Sequence, residues 1–361
     1  MSPSHLWRKT IISLFIAATL FCPLLIGFAQ AQSAAPNSLQ ALRDSLGAAI
    51  NVHQRHSREL MADPDVVGTA VGLTANGQPA IKVFTRSESI MRFPTNLEGL
   101  PVEVEATGAF HALAARENGV APEAARVPTN PRKEFPLPVP IGVSIGNEND
   151  CSAGTIGARV KDPQGNVYAL SNNHVFALEN KASLLNSNIV QPGLADTRCR
   201  VASTNFIGTL TAFVPIEFST SARNTVDAAI AISDLDHLGN ATIKKGYGTP
   251  QSETVPVSRD LIGENVQKFG EASQLTKGQV TGIHATVLVD YDSGTAQFVE
   301  QIVVESRKPF IKAGDSGSLL VTNPDANPVG LLFAGDKTGR MAVANPIDAV
   351  LGALGVSIDG D

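Results

Sequence analysis

The first part of the chain carries a mixed pattern of helix and strand. Residues from Ser38 to Ala62 are rich in Leu, Ala, Arg and Glu and free of proline, which predicts an amphipathic helix. Asn76-Gly77 is a strong signal for a hairpin turn between two apolar runs. The runs that predict strands here are Val66–Val71, Ala80–Phe84 and Val102–Glu105. We therefore expect a small α+β domain over residues 32–120.

The pattern then changes. Residues 121–140 hold six prolines with charges between them, the composition of a stiff, extended linker. From Ile141 onward, short apolar runs alternate with turn residues, which predicts an all-β sandwich or a pair of barrels over residues 141–361. The predicted strands are Thr155–Val160, Val167–Leu170, Phe206–Phe213, Ala228–Ile232, Val280–Val289, Gln301–Val304, Leu319–Val321 and Val329–Phe333. The expected fold class is mainly β.

Composition and charge exclude several functions. The formal net charge is −6 and no Lys/Arg cluster occurs, so neither nucleic acid nor an anionic membrane surface is an expected partner. His53 and His56 lie on one turn of the predicted helix without a third ligand, which favours a solvated polar face over a metal site. We expect no metal and no cofactor, and the sequence indicates no oligomeric state.

Residues 1–31 have the pattern of a signal peptide. Arg8 and Lys9 precede an apolar run, and Ala29-Gln30-Ala31 supplies the small-x-small site that signal peptidase recognises. We expect cleavage after Ala31 and a secreted or periplasmic protein. The alternative is an uncleaved membrane anchor, because the apolar run nearly reaches spanning length.

The cysteines agree with export. Removal of the signal peptide would remove Cys22 and leave Cys151 and Cys199. In an exported protein such a pair predicts one disulfide. Two separate buried thiols are the alternative.

The stretch Ala313-Gly314-Asp315-Ser316-Gly317-Ser318 is the most informative. A serine hydroxyl is a poor nucleophile without a base, and the oxyanion that it forms needs donors aimed at it in advance. Small neighbours let the backbone turn sharply, so that the amides of Gly314 and Ser316 can point at one spot, and Gly317 is expected to leave room for substrate. This stretch alone supports a polar surface turn and a catalytic turn equally well.

Two further residues favour catalysis. His174 follows an apolar strand, where it can be held rigidly, and Asp227 begins a buried strand, where a carboxylate without a partner would be costly. A histidine next to a nucleophile needs such a carboxylate to fix its tautomer and to stabilise its protonated form. His174, Asp227 and Ser316 follow one another with roughly 50 and then 90 residues between them. This order favours a His-Asp-Ser triad over three unrelated residues.

These motifs resemble those of the chymotrypsin/trypsin-like serine peptidases, over residues 141–361. The resemblance implies a double β-barrel in which His174 is the general base, Asp227 orients it and Ser316 is the nucleophile. It also implies an oxyanion hole formed by the amides of Gly314 and Ser316. The run Ser171-Asn-Asn-His-Val, followed by Gln191-Pro192-Gly193, is especially similar to bacterial members related to the plant narrow-leaf proteins.

The resemblance also implies a substrate pocket. Phe310 takes the position at the pocket floor where trypsin carries an acid, which is unfavourable to Arg or Lys and favours an apolar or small residue. Lys308 and Lys312 leave an acidic preference open. The stretch Val329–Gly335 resembles the strand that pairs with substrate backbone, so Phe333, Ala334 and Gly335 are the remaining candidate substrate-binding residues.

The expected function is that of an exported serine endopeptidase acting on polypeptides through an acyl-enzyme. The rival is a catalytically silent binding or scaffold protein with the same fold. The domain over residues 32–120 has two equal interpretations, a pro-domain or a permanent accessory module. The pro-domain version predicts cleavage within residues 121–140.

Overall fold

The computed structural model describes residues 35–88, 93–116 and 129–361. The predicted signal peptide lies outside these residues, as do residues 121–128 of the predicted linker. In the parts described, no helix is both long and apolar enough to cross a membrane. The first part of the chain contains α1 (Ala35–Leu60), β1 (Val66–Leu73), β2 (Pro79–Thr85), β3 (Asn96–Leu97), β4 (Leu100–Ala106), β5 (Phe110–Ala112) and β6 (Ala115–Arg116).

Strands dominate the rest of the chain, so the mainly β prediction is confirmed. Before residue 243 these elements are β7 (Val139–Ile141), β8 (Ser144–Asn147), β9 (Ser152–Thr155), β10 (Ala158–Lys161), β11 (Val167–Ser171), α2 (Asn173–Phe176), β12 (Asn188–Gln191), β13 (Asn205–Phe213), β14 (Ala229–Ser233) and β15 (Leu238–Thr242). After it come β16 (Asn265–Gly270), β17 (Gln274–Tyr291), β18 (Gly294–Glu305), β19 (Leu319–Thr322), β20 (Pro328–Asp336), β21 (Met341–Pro346), α3 (Ile347–Leu354) and β22 (Ser357–Ile358).

One sheet closes on itself. The strands run in the order β16, β19, β20, β21, β18 and β17, and an additional pairing of β16 with β17 completes a barrel. The other sheet, called the first sheet below because most of its strands precede the barrel in the chain, has the order β22, β10, β11, β14, β13, β12, β8, β9 and β6. Apolar residues of β8, β11, β13 and β14 form a buried core of its own under this sheet.

The predicted hairpin at Asn76-Gly77 is present. It joins β1 to β2 in antiparallel register, and Gly77 has a φ of 76°, a conformation that glycine adopts without a steric penalty. Strand β4 then pairs with β2 in parallel. Helix α1 packs on β1 and β2.

Residues 35–106 do not have a core separate from the barrel. Strand β1 pairs along β17, with Gly68 opposite Val287, so this part of the chain extends the barrel's sheet. Leu46 of α1 lies in the same apolar cluster as Val280 and Leu332. The sequence predicts a small α+β domain over residues 32–120. The described elements of this part are indeed α and β, but they share a sheet and an apolar core with the barrel.

The end of the predicted linker is also part of a sheet. Phe135 is 2% exposed, and its amide donates to Oε1 of Gln191 at 2.9 Å. Val139–Ile141 forms β7 in parallel with β15. Residues 129–140 are therefore packed on the first sheet, because their apolar side chains can be buried there.

Candidate active site

His174 lies where β11 gives way to the short helix α2. Its side chain is buried between the sheets, with 6% of the residue exposed. Asn172, two residues earlier, donates from Nδ2 to the backbone oxygen of Asp227 at 2.7 Å. The end of β11 is thereby tied to the segment that enters β14.

Asp227 orients the imidazole of His174 through hydrogen bonds. Its Oδ2 lies 2.6 Å from Nδ1 of His174, and its Oδ1 accepts the His174 amide at 3.2 Å. The carboxylate is fully buried, so these bonds replace its lost hydration. The pairing fixes Nδ1 as the donor, which leaves Nε2 as the acceptor that a general base needs.

Tyr291 is a site residue that the sequence does not reveal. Its hydroxyl donates to Oδ2 of Asp227 at 2.9 Å, and its ring lies edge-on to that of His174 at 5.8 Å between centroids. Burial, reinforced by the Asp227 charge, raises the pKa of Tyr291 well above its usual value, so the hydroxyl stays a donor. Tyr291 ends the long strand β17, and no local motif marks it.

Ser316 lies in the turn before β19 and is fully buried. Its backbone oxygen accepts the Thr155 amide at 2.8 Å, and a Cβ at Gly154 would lie 3.1 Å from that oxygen and overlap Val175, the neighbour of His174. The triad candidates therefore converge on β9. The Oγ of Ser316 donates to the backbone oxygen of Phe333 at 3.3 Å, and Nε2 of His174 is buried without a hydrogen-bond partner in the described residues.

Two buried charges hold the turn before Ser316. The carboxylate of Asp315 lies 2.9 Å from Nζ of Lys268, and both side chains are fully buried. It also accepts the amides of Ala272 at 3.0 Å and Ser273 at 3.1 Å. Burial lowers the pKa of Lys268, and the negative charge of Asp315 opposes this shift. The turn is anchored by Lys268 and by these two amides.

A buried carboxylate borders Gly314. The φ of Gly314 is 101°, and any Cβ there would overlap Oε1 of Glu271. Oε2 of Glu271 lies 2.6 Å from Nε of Arg132, which is 4.0 Å from Asp196. Burial and the nearby Asp196 charge raise the pKa of Glu271 well above its usual value. Gly314 is thus required both for its backbone conformation and for space.

The candidate pocket residues occupy different places. Phe310 is fully buried in the barrel core, and Phe333 turns its ring toward Phe298, with 4.8 Å between centroids, while its backbone faces Ser316. Ala334 and Gly335 lie on β20, with their backbones paired to β5. Phe333 therefore contributes backbone, not side chain, to the site.

The expectation for Gly317 is wrong. A Cβ at Gly317 would overlap Oγ of Ser171 and the backbone oxygen of Thr155. Gly317 therefore lets the Ser316 turn approach the first sheet closely, instead of leaving room for substrate.

The disulfide prediction is confirmed. Cys151 and Cys199 are bonded, with Cα atoms 5.2 Å apart and a sequence separation of 48 residues. The bond joins the turn before β9 to the end of a short 3₁₀ helix, Leu194–Thr197. It lies at the edge of the first sheet.

The paired histidines of α1 have protein partners. Nε2 of His53 lies 2.9 Å from Oγ1 of Thr69, and Nε2 of His56 lies 2.8 Å from Oε1 of Glu98. In the described parts of the chain no group of three or more His, Cys, Asp or Glu side chains could hold a metal ion.

Comparisons with known proteins agree with the motifs. A model of Peptidase family S64 matches residues 199–337, which include Asp227 and Ser316 but not His174. A search of curated proteins returns no match. The match to a peptidase family agrees with the resemblance to the chymotrypsin/trypsin-like serine peptidases, whereas the relation to plant narrow-leaf proteins stays a prediction.

Solved structures with a similar fold include several proteases. A glutamic acid-specific serine protease is 18% identical and covers 61% of this chain and 100% of its own, with a TM-score of 0.43. Thermobifida fusca protease A is 15% identical, with coverages of 62% and 99% and a TM-score of 0.43. Cellulomonas bogoriensis chymotrypsin is 18% identical, with coverages of 62% and 99% and a TM-score of 0.41.

Proposed function

We propose that the protein is a serine endopeptidase with His174, Asp227 and Ser316 as its catalytic triad. The observation that carries this proposal is the buried hydrogen bond of 2.6 Å between Nδ1 of His174 and Oδ2 of Asp227. Nε2 of the same residue is buried without a hydrogen-bond partner in the described residues. Such groups are rare in native structures because they cost free energy, so this one calls for a functional explanation. Accepting the proton of a nucleophile is such a function.

The chemistry follows from the positions of these groups. The mechanism requires that the Ser316 side chain turn from the Phe333 oxygen, which it contacts at 3.3 Å, toward Nε2 of His174. Oγ then attacks a substrate carbonyl carbon as its proton passes to Nε2, and Asp227 stabilises the imidazolium that results. The amides of Gly314 and Ser316 stabilise the oxyanion. Collapse transfers the proton to the leaving amine and leaves an acyl group on Ser316, which water removes.

The pocket favours apolar substrates. Phe310 and Ile311 are both buried, and Ile311 lies beside Gly335, so an acidic or basic side chain among them would lose its hydration without gaining a partner. We expect cleavage after apolar residues such as leucine, and no preference for Arg or Lys.

Export is part of the same proposal. The Cys151–Cys199 disulfide is of the kind that forms and persists in oxidising compartments. Together with the predicted signal peptide over residues 1–31, it supports a secreted or periplasmic location. Sequencing the N-terminus of the exported protein tests cleavage after Ala31.

The rival function is that of a silent binding protein, and one observation favours it: Oγ of Ser316 is bonded to Phe333 and not to His174. Labelling with a serine-directed fluorophosphonate distinguishes the two. Ser316→Ala should abolish both labelling and peptide cleavage, whereas Ser306→Ala, at an exposed serine of the same barrel, should retain them. Labelling that survives in Ser316→Ala would contradict the assignment of the nucleophile.

A further inference from the structure

Residues 110–116 cross the candidate active site from one sheet to the other. On the barrel side, β5 is antiparallel to β20, with Ala112 opposite Ala334 and His111 opposite Gly335. On the other side, β6 is antiparallel to β9, with Ala115 opposite Ala153. The segment is therefore held as an added strand on both sides of Ser316, which is how an extended peptide binds a sheet edge.

The middle of this segment lies at the reacting groups. The Gly314 amide donates to the backbone oxygen of Leu113 at 2.5 Å. The Leu113 amide donates to Oγ of Ser316 at 3.2 Å. The carbonyl of Leu113 thus accepts from the Gly314 amide, one of the two donors proposed for the oxyanion hole, and the peptide bond beside the nucleophile is the one between Leu113 and Ala114.

The Leu113 side chain occupies the pocket. It packs against the cluster that contains Phe310 and Ile311. Its Cδ1 would lie 3.1 Å from a Cβ at Gly335, so the absence of a side chain there makes space for it. Leu113 thus fits where a substrate's side chain before the cleaved bond would lie.

Phe110 anchors the segment. It is fully buried, and its ring lies edge-on to Phe84 at 6.0 Å between centroids. Its backbone also pairs in parallel with β17, opposite Val289. A backbone pairing on each side of β5 and a buried aromatic side chain position Leu113 more firmly than the cleft contacts alone.

We propose that residues 110–116 are the first substrate of this enzyme, and that the chain cleaves its own Leu113–Ala114 bond. The inference rests on the proposed function of Ser316 and His174. Oγ of Ser316 forms an ester with the Leu113 carbonyl carbon, and its proton passes through His174 to the departing nitrogen of Ala114. Water then hydrolyses the ester. The net change is one water consumed, a carboxylate at Leu113 and an amine at Ala114.

The cut separates two parts that remain associated. Residues up to 113 stay on the barrel through β1, β2 and the buried Phe110, while the new N-terminus at Ala114 belongs to the peptidase part. The Leu113 carboxylate competes with external substrate for the oxyanion hole until β5 leaves. This cut lies upstream of the 121–140 region where a pro-domain would be expected to be removed.

The test follows the purified chain with time by intact mass and N-terminal sequencing. The wild-type protein should yield a fragment that begins Ala114-Ala115-Arg116, at a rate independent of protein concentration. Ser316→Ala should stay intact. A wild-type chain that stays intact, is cut elsewhere, or is cut equally when Ser316 is replaced overturns the proposal.

Substitutions at Leu113 separate self-cleavage from peptidase activity. Leu113→Met, which keeps an apolar side chain, should be cut, and Leu113→Asp should not, because the pocket offers no partner for a charge. Leu235→Asp, at an exposed leucine, should be cut like the wild type. Leu113→Asp should also react with fluorophosphonate at least several-fold faster than Ser316 of the uncut wild type, because the cleft is no longer filled.

The outcomes distinguish the two proposals. An intact wild-type chain whose Ser316 is labelled refutes self-cleavage and leaves the peptidase standing. If Leu113→Asp is not labelled either, the proposed function itself fails. A synthetic peptide of residues 109–116 should be cleaved in trans after the position of Leu113, and its Leu→Asp counterpart at least 100-fold more slowly; equal cleavage of both would refute the role given to the pocket.

Discussion

Tyr291 donates its hydroxyl hydrogen to the same carboxylate oxygen of Asp227 that faces Nδ1 of His174, at 2.9 Å and 2.6 Å respectively. The bond fixes the carboxylate against the imidazole. Tyr291→Phe should lower kcat about 10- to 150-fold with little change in KM, because a hydrogen bond to a charged group contributes roughly 1.5–3 kcal/mol. Steady-state kinetics on a peptide substrate provide the measurement.

The chain offers a matched control for this change. Tyr168 donates its hydroxyl to Oδ2 of Asp162 at 3.0 Å, at a distance from the triad along the first sheet. Tyr168→Phe should leave kcat unchanged. An equal loss in both variants would mean that Tyr291 acts on stability and not on the triad.

Lys268 and Asp315 form a buried ion pair directly before the nucleophile. Lys268→Met leaves the Asp315 carboxylate without its cation, which should lower the free energy of unfolding by about 3–5 kcal/mol. Denaturant unfolding measures this loss. Lys277→Met, at an exposed lysine on the same hairpin, should cost little.

The double variant Lys268→Met/Asp315→Asn tests the cause. Removing both charges should recover part of the stability, because no unpaired charge is then buried. Peptidase activity should stay low, since the turn that carries the Gly314 amide is no longer anchored. A double variant as unstable as Lys268→Met would show that shape, not charge, dominates.

Much of the triad could be predicted because each member carries a local signal. His174 follows an apolar strand, Asp227 precedes a buried one, and Ser316 lies in a run of small residues that allows a sharp turn. Buried polar groups need partners, and the order of these three residues along the chain is that of a triad, so the sequence predicts that they interact. In the structure His174 and Asp227 are hydrogen-bonded, whereas Oγ of Ser316 is bonded to Phe333, so the role of Ser316 in a triad stays a prediction.

The remaining site residues carry no such signal. Leu113 lies in a run of small and apolar residues too short for a period to be read, and its partner Ser316 is 203 positions away. Tyr291 and Lys268 gain their roles from strand pairings that sequence patterns do not specify. For the same reason the α+β pattern of residues 32–120 could not show that β1 joins β17.

The disulfide should contribute much of the stability of the first sheet. Closing a loop over a separation of 48 residues stabilises the fold by about 3–4 kcal/mol in the chain-entropy model. Cys151→Ser should lose this amount in denaturant unfolding, and Cys199→Ser the same. A reductant should destabilise the wild type but neither variant. If it destabilises a variant equally, the loss has another origin.

His53 should make the protein sensitive to mild acid. Burial lowers the pKa of His53 to about 4 from its usual 6.5, an effect that His284 reinforces and that Glu300 and the bond to Thr69 oppose. Below pH 6.5 the unfolded chain takes up a proton that the folded chain refuses until about pH 4, so the free energy of unfolding falls across that window. The loss attributable to this residue is on the order of 3 kcal/mol.

Denaturant unfolding at pH 7.5 and pH 4 measures this dependence. His53→Gln, which retains a donor for Thr69 but cannot be protonated, should lose much less stability on acidification than the wild type. His237→Gln, at a surface histidine paired with Asp234, is the control and should behave as the wild type. If His53→Gln and the wild type lose equal stability between the two pH values, the buried imidazole is not the group that makes the protein sensitive to acid.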